Sequence, residues 1–344
     1  MEQVFRKSIR LIVLSAIAVH GAEFNCVAEA DEPERQDVVV AVGASGRTEY
    51  RDMFQSWAGR WEAAAKSAEA GFRAVGLDDT VSDKSVLSEV IGQLTQRESG
   101  EPVWIVLIGH GTFDGRTARF NLRGSDISAA ETAALLNNAK RPVALINCAS
   151  CSAPFINAAS GSRRVILTAT KDGSQFQLAR FGEAMSLAIG GADADLNQDG
   201  QVSLLEAAAF ASGRTDEFYT SSGRLATEHS LLDDSGDGLG SRLSDFKGAQ
   251  LDVAGDNSAV DGSLARRWHL IRSEEERRLT SDQREHRNEL ERRLEELKRQ
   301  RDEFSEAEYL DQLELVLIPL ARLYWESDFG EESAEKTVTG NGTP

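Results

Sequence analysis

Residues 102–111 read PVWIVLIGHG, and residues 142–152 read PVALINCASCS. Each is an unbroken apolar run of strand length that opens on Pro and ends in small or reactive residues. Runs apolar at every position belong to strands buried on both faces, as in a parallel sheet covered by helices. Proline fits at the first position of a strand. Outward from these two, Asp37–Ala44 (DVVVAVGA), Phe72–Leu77 and Arg164–Thr168 read as further strands. Between them the period changes to 3.6. Tyr50–Ala70 places Phe54, Trp57 and Trp61 on one face, and Ser82–Gln96 turns Val86, Val90, Ile91 and Leu94 inward. Ser128–Lys140 opens on a capping box, Ser128 with Glu131, and Gln177–Ile189 carries Leu178, Phe181, Met185 and Ala188 on one side. Ala118–Leu122 reads as a small hairpin arm. Strand and helix alternate at short intervals, so the expected fold class is α/β, a mostly parallel sheet with helices on both faces. Ligand chemistry in such sheets sits at the carboxyl ends of the strands. Those ends carry His110 on one strand and Cys148 and Cys151 on another.

Composition narrows the function classes. The 344 residues carry 38 Lys+Arg against 56 Asp+Glu, a formal net charge of −18. That balance argues against nucleic acid or an anionic membrane as the main partner, since both require clustered positive charge. It suits a chain that collects cations. At 41% hydrophobic the sequence can build a large core. Arg6, Lys7 and Arg10 precede an apolar stretch, Leu11–Val19, and a small-x-small site at Ala28-Glu29-Ala30. This is the layout of a secretory signal peptide, too short to span about 30 Å of hydrocarbon. Residues 1–30 are therefore expected to be removed, and the protein to be periplasmic or secreted. Cys26 leaves with them. The remaining two cysteines are too few for a disulfide framework.

The most specific motif is Asp195-Leu-Asn197-Gln-Asp199-Gly200-Gln201-Val202-Ser203-Leu-Leu-Glu206. It matches the twelve-residue EF-hand loop at every ligand position. Asp195, Asn197 and Asp199 take positions one, three and five, and Gly200 makes the sharp turn. Gln201 offers its carbonyl at position seven. Ser203 stands at nine, and Glu206 is the bidentate carboxylate at twelve. The cofactor expected here is Ca²⁺, a hard ion that wants 6–8 oxygens. A second stretch, Asp233-Asp234-Ser235-Gly236-Asp237-Gly238, has the opening half of such a loop. Its twelfth position is Ser244, which cannot be bidentate, and Asp245 comes one residue late. It reads either as a partial site or as a plain turn.

A Cys with a sequence-distant His is a nucleophile–base candidate. His110 precedes Cys148 by 38 residues and Cys151 by 41. Gly109 and Gly111 let the backbone come close to a substrate. Here the sequence resembles the caspase/legumain-type (clan CD) cysteine peptidases over residues 37–190. The marks are VWIVLIGHG, a strand ending in His-Gly, and VALINCASCS, a strand leading to Cys. The resemblance implies a caspase-like sheet, His110 as base or proton donor, a strand-end Cys as nucleophile, and a peptide or protein substrate. In the legumain-like pattern, anchoring on Ile146 puts Ala149 at the Cys position. Three readings follow: a shifted nucleophile at Cys148 or Cys151, a Cys148–Cys151 disulfide, or a decayed site kept as a scaffold. The arrangement is similar to secreted bacterial caspase-like proteins with an attached EF-hand.

Asp114 and Asp126 lie near the His loop without distinctive spacing. His229 reads as a structural hydrogen-bonding residue, and His269 and His286 as surface. Domain boundaries are expected at 31–190 for the α/β domain and 191–250 for the calcium region. Residues 251–330 read as helical, with Leu290, Leu294 and Leu297 at a/d-like spacing. A second arm carries Leu313, Val316, Leu317, Leu320 and Leu323, with a kink at Pro319. This is a helical hairpin or short coiled coil, either packed on the domain or used for self-association. Residues 331–344 are expected to be a disordered tail.

Overall fold

The computed structural model describes residues 34–78, 82–247, 250–251 and 261–338. The expected signal segment, 1–30, lies outside the described residues. Glu34–Pro344 forms one compact unit. Its centre is a seven-stranded sheet in the order β10-β9-β8-β7-β3-β1-β2. Five strands run parallel: β1 (Asp37–Val42), β2 (Gly71–Val75), β3 (Val103–Ile108), β7 (Val143–Asn147) and β8 (Arg164–Thr168). Two short strands, β9 (Leu231–Asp233) and β10 (Ser241–Arg242), extend the β8 edge antiparallel. They flank the acidic stretch Asp233–Gly238. A separate three-stranded antiparallel sheet follows β3: β4 (Gly111–Phe113), β5 (Ala118–Phe120) and β6 (Ile127–Ser128).

Alternation along each strand divides the core in two. Val38, Val40, Trp104, Val106, Ala144 and Ile146 face one layer; Val39, Ala41, Ile105, Leu107 and Leu145 face the other. The first layer is covered by α1 (Thr48–Ser67), α5 (Phe181–Ala188) and α6 (Leu204–Ser221), the second by α2 (Asp83–Gln96), α3 (Ala129–Leu136) and α4 (Pro154–Ala159). In α1 the buried residues are Phe54, Trp57, Ala58, Trp61, Ala64 and Ala65, the three-and-four spacing of a helix with one apolar stripe. The capping box of α3 forms as expected. Ser128 Oγ accepts from Glu131 N–H at 3.2 Å, and Glu131 Oε2 accepts from Ser128 N–H at 2.9 Å. Lys84 adds an ion pair at 2.7 Å.

Hydrogen bonds from Lys84 and Ser128 hold the Glu131 carboxyl down at about 2. Its folded value lies below its unfolded one. Its stabilising contribution is therefore complete above the unfolded value and is lost as pH falls toward 2. The gap in urea midpoint between wild type and Glu131→Ala should shrink across that window. A gap constant from pH 6 to pH 2.5 would remove this assignment.

At the amino edge of the sheet Arg141 is fully buried. It donates to Asp37 Oδ2 at 2.8 Å and to the carbonyls of Glu101 at 2.6 Å and Arg35 at 2.7 Å. The C-terminal hairpin docks on the same edge. Its members are α7 (Glu274–Arg278), α8 (Ser281–Arg299) and α9 (Glu306–Val338). Arg272 and Arg284 both pair with the buried Glu101. Leu290 and Leu297 are buried, as are Val316 and Leu323 on α9, so the a/d-like leucines are consumed within the chain. The helix continues through Pro319 and past 331 to Val338. Glu331, Glu332, Ala334, Glu335 and Lys336 in that stretch are good helix formers. No helix of the described residues is long and apolar enough to cross a membrane.

Candidate functional site

The strand order places β3 directly beside β7, so both exits open on the same rim. Gly109 and His110 follow β3. A Cβ on Gly109 would lie 3.2 Å from Gly43 Cα, and one on Gly111 would lie 2.1 Å from the Ser150 carbonyl oxygen. Only glycine allows that second approach. Ser150 Oγ accepts from Gly111 N–H at 3.1 Å and donates to Gly111 O at 3.2 Å. One hydroxyl thus ties the β7 exit to the β3 exit.

The His110 imidazole lies edge-on to Tyr50 and Phe54, at centroid distances of 5.2 and 5.4 Å. Burial lowers its pKa below the ordinary 6.5, against an opposing hydrogen bond that the ring donates to the Ser45 backbone. That direction favours the neutral ring, the form that can accept a proton.

The two cysteines differ. Both are free thiols, so the C-x-x-C disulfide is not formed. Cys148 continues the β7 alternation onto the α1/α5 layer, where its Cβ would lie 2.8 Å from a Cβ added to Gly182. It belongs to the core with Trp57 and Phe181. Complete burial, with the charge of Glu228, drives its thiol far above the usual range. Such a thiol packs as a small hydrophobe. Cys151 sits in the turn after β7 with φ +55, a left-handed conformation uncommon outside glycine. Its N–H donates to Gln175 O at 2.9 Å. It lines a depression of about 510 Å³ with Gly111, Thr112, Phe113, Gly173, Ser174 and Phe176. Burial, with Asp172, raises its pKa too. Among the described residues no hydrogen bond joins either sulfur to His110. Ala149, the position reached by strict anchoring on Ile146, is buried in the opposite layer.

Other expected residues resolve plainly. Asp114 closes the β4–β5 turn, accepting from Arg116 and Thr117 N–H and from Arg119, which hold its carboxyl at about 2. Asp126 accepts from Leu122 N–H. Among the described residues neither makes a hydrogen bond or ion pair with His110. His229 Nδ1 meets Gln175 Nε2 at 2.7 Å, a structural bond beneath Cys151. His286 is exposed, but His269 is 8% exposed, which corrects the surface reading: it pairs with Ser203 in an isolated antiparallel bridge. Sequence reasoning missed Glu228. Its carboxylate accepts from Arg180 N–H at 2.7 Å, from Phe181 N–H at 3.0 Å and from Tyr219 Oη at 3.0 Å. It caps α5 from 48 residues away, because Arg180 at the N-cap offers no acceptor. A missing N-cap acceptor was the one available signal.

The Asp195–Glu206 loop leads from a short helical turn, Ala192–Ala194, into α6. Asp195 accepts from Asp199 N–H at 3.2 Å and from Gly200 N–H at 3.0 Å. Asn197 Oδ1 accepts from Asp199 N–H at 2.9 Å. Glu206, fully buried, accepts from Asn197 N–H at 3.0 Å and from Ser203 N–H at 2.9 Å. Gln201 points its side chain to Ser273 N–H, leaving its carbonyl for the loop. Among the described residues no three His, Cys, Asp or Glu side chains converge tightly on one point. The donor set is all oxygen, and the buried Glu206 has no lysine or arginine partner among the described residues. Both features fit a hard cation.

A cavity of about 630 Å³ lies at the amino edge of the sheet, away from the strand exits. Four of its arginines are in ion pairs: Arg272 and Arg284 with Glu101, Arg287 with Glu276, Arg267 with Glu291. It is the seam where α8 meets the sheet.

No protein-family model matches this chain, and no curated protein matches it. Among solved structures it is similar to the crystal structure of caspase-1 from Spodoptera frugiperda at 9% identity, covering 58% of this chain and 86% of that one, with a TM-score of 0.38. The assignment of the fold therefore rests on the strand order and burial described above.

Proposed function

We propose that this chain is an exported, calcium-binding homologue of the caspase/legumain-type cysteine peptidases, with its candidate peptide-hydrolysing site at the β3/β7 rim. The observation that supports it is that His110 and Cys151 leave adjacent parallel strands whose exits Ser150 ties together, with Cys151 lining an open depression. In this reading Cys151, not Cys148, is the nucleophile. Its left-handed backbone is strain of the kind that collects at functional sites. His110 takes the thiol proton and returns it to the leaving amine. The amide bond breaks as the thioester forms, and water then releases the acyl group. Gly111 N–H already serves Ser150, so an oxyanion donor would come from elsewhere on the rim.

A second reading, a silent scaffold, is favoured by the raised pKa of both thiols and by Ala149 at the strict Cys position. A peptide-linked thiol probe on reduced, Ca²⁺-loaded protein separates the two. The peptidase reading expects label at Cys151, none at Cys148, and a loss of labelling rate of about 10²–10³-fold in His110→Ala. Unlabelled Cys151 on folded protein leaves the scaffold. Self-association belongs to the same proposal and falls to the outer face of α9. Leu310, Leu317 and Trp325 are exposed there, at 56%, 44% and 65%, whereas Leu290 and Leu297 are covered. A monomer mass by light scattering at 0.1 mM protein would reject that part.

A further inference from the structure

The acidic loop between β9 and β10 repeats the bonding scheme of the Asp195–Glu206 loop, with one carboxylate supplied from further along the chain. In the first loop Glu206 Oε1 accepts from Asn197 N–H at 3.0 Å. Its Oε2 accepts from Ser203 N–H at 2.9 Å and from Ser203 Oγ at 2.8 Å. In the second, Asp261 Oδ1 accepts from Ser235 N–H at 3.1 Å. Its Oδ2 accepts from Ser241 N–H at 3.2 Å and from Ser241 Oγ at 2.6 Å. Counting Asp233 as position one makes Ser235 position three and Ser241 position nine, the places of Asn197 and Ser203. The fifth positions correspond as well. Asp199 Oδ1 accepts from Gln201 N–H at 3.1 Å, and Asp237 Oδ1 from Leu239 N–H at 2.7 Å. Positions four and six are left-handed in both: Gln198 φ 62 and Gly200 φ 85, against Gly236 φ 83 and Gly238 φ 77.

The loops differ most at their first carboxylate. Asp195 Oδ2 accepts from Gly200 N–H at 3.0 Å, but the corresponding N–H of Gly238 goes to Ser160 Oγ at 3.0 Å. Asp233 Oδ2 is left buried without a hydrogen-bond partner, on a residue only 1% exposed. Asp261, which closes the loop, is 3% exposed. Among the described residues no lysine or arginine forms an ion pair with either. Buried carboxylates without cationic partners are held by metal ions or are costly.

We propose that this loop is a second calcium site, with Asp233, Ser235 and Asp237 as loop ligands and Asp261 as the closing carboxylate. Asp261 fills the role that Glu206 plays in the first loop. That is why Ser244, at the twelfth position, can be neutral. The site stands whether or not the first loop binds.

Native mass spectrometry of the full chain titrated with Ca²⁺ counts the ions. The expected result is two per chain, falling to one in Asp233→Asn and in Glu206→Gln, and to none in the double variant. Asp237→Ala alters an exposed residue and should fold normally. By calorimetry it should weaken one of two Ca²⁺ affinities about tenfold. A single ion abolished by Glu206→Gln, or an Asp237→Ala variant with both affinities unchanged, overturns the second site. A Glu206→Gln variant that keeps every ion while Asp233→Asn loses one overturns the first loop and keeps the second.

Discussion

Arg141→Ala is expected to lose about 3–5 kcal/mol of stability, the cost of breaking a buried ion pair by removing one partner. The guanidinium is wholly enclosed. Its four hydrogen bonds reach Asp37, Arg35, Glu101 and Pro102, so it fastens the amino ends of β1, β3 and β7 together. Truncation leaves the Asp37 carboxylate buried at the head of β1, supported only by Arg97 at 3.5 Å and Arg35 at 4.0 Å. Three backbone carbonyls also lose their donor. For a chain of this size the loss lowers Tm by roughly 6–10 °C. The paired variant Asp37→Leu/Arg141→Met should lose less than Arg141→Ala alone, since no charge is then stranded. Urea midpoints for the three proteins measure this. A single variant within 1 kcal/mol of wild type would show that the pair contributes little.

In saturating Ca²⁺, Glu206→Gln should melt well below wild type, while the two should melt together in chelator. An ion at a hundred times its Kd adds about 2.7 kcal/mol to folding. That corresponds to roughly 4–6 °C here. Gln keeps the reach to Ser203 N–H that caps α6, so the helix start survives. Without an ion the native Glu206 is a buried anion supported by N–H and O–H donors alone. The Gln variant in chelator should therefore be at least as stable as wild type. Equal wild-type melting with and without Ca²⁺ would dismiss the calcium reading of this loop.

The sheet was readable because strands buried on both faces are apolar through their centres, as β1, β3, β7 and β8 are. The Asp195–Glu206 loop was legible as a motif because the residues that define it are spaced within twelve positions. The pairing of the β3 and β7 exits followed from short right-handed crossovers. Other features depend on contacts that no local pattern encodes. β9 and β10 are three and two residues long and take their place beside β8. α4 is six residues inside a loop of small residues. Glu228, His269 and Asp261 act at long range, and their roles appear only when the chain closes. The two cysteines looked equivalent in sequence. The pleat separates them, turning Cys148 into the α1/α5 layer and leaving Cys151 in a turn.

The Gly111–Ser150 contact has a consequence for variation in proteins built this way. With 2.1 Å between a hypothetical methyl and a carbonyl oxygen, the gauge between the two tracks is fixed by backbone against backbone. Selection cannot widen or narrow it by single substitutions. Variation around this rim is therefore channelled into its two flanking banks, residues 112–117 and 171–176, rather than into the crossing itself.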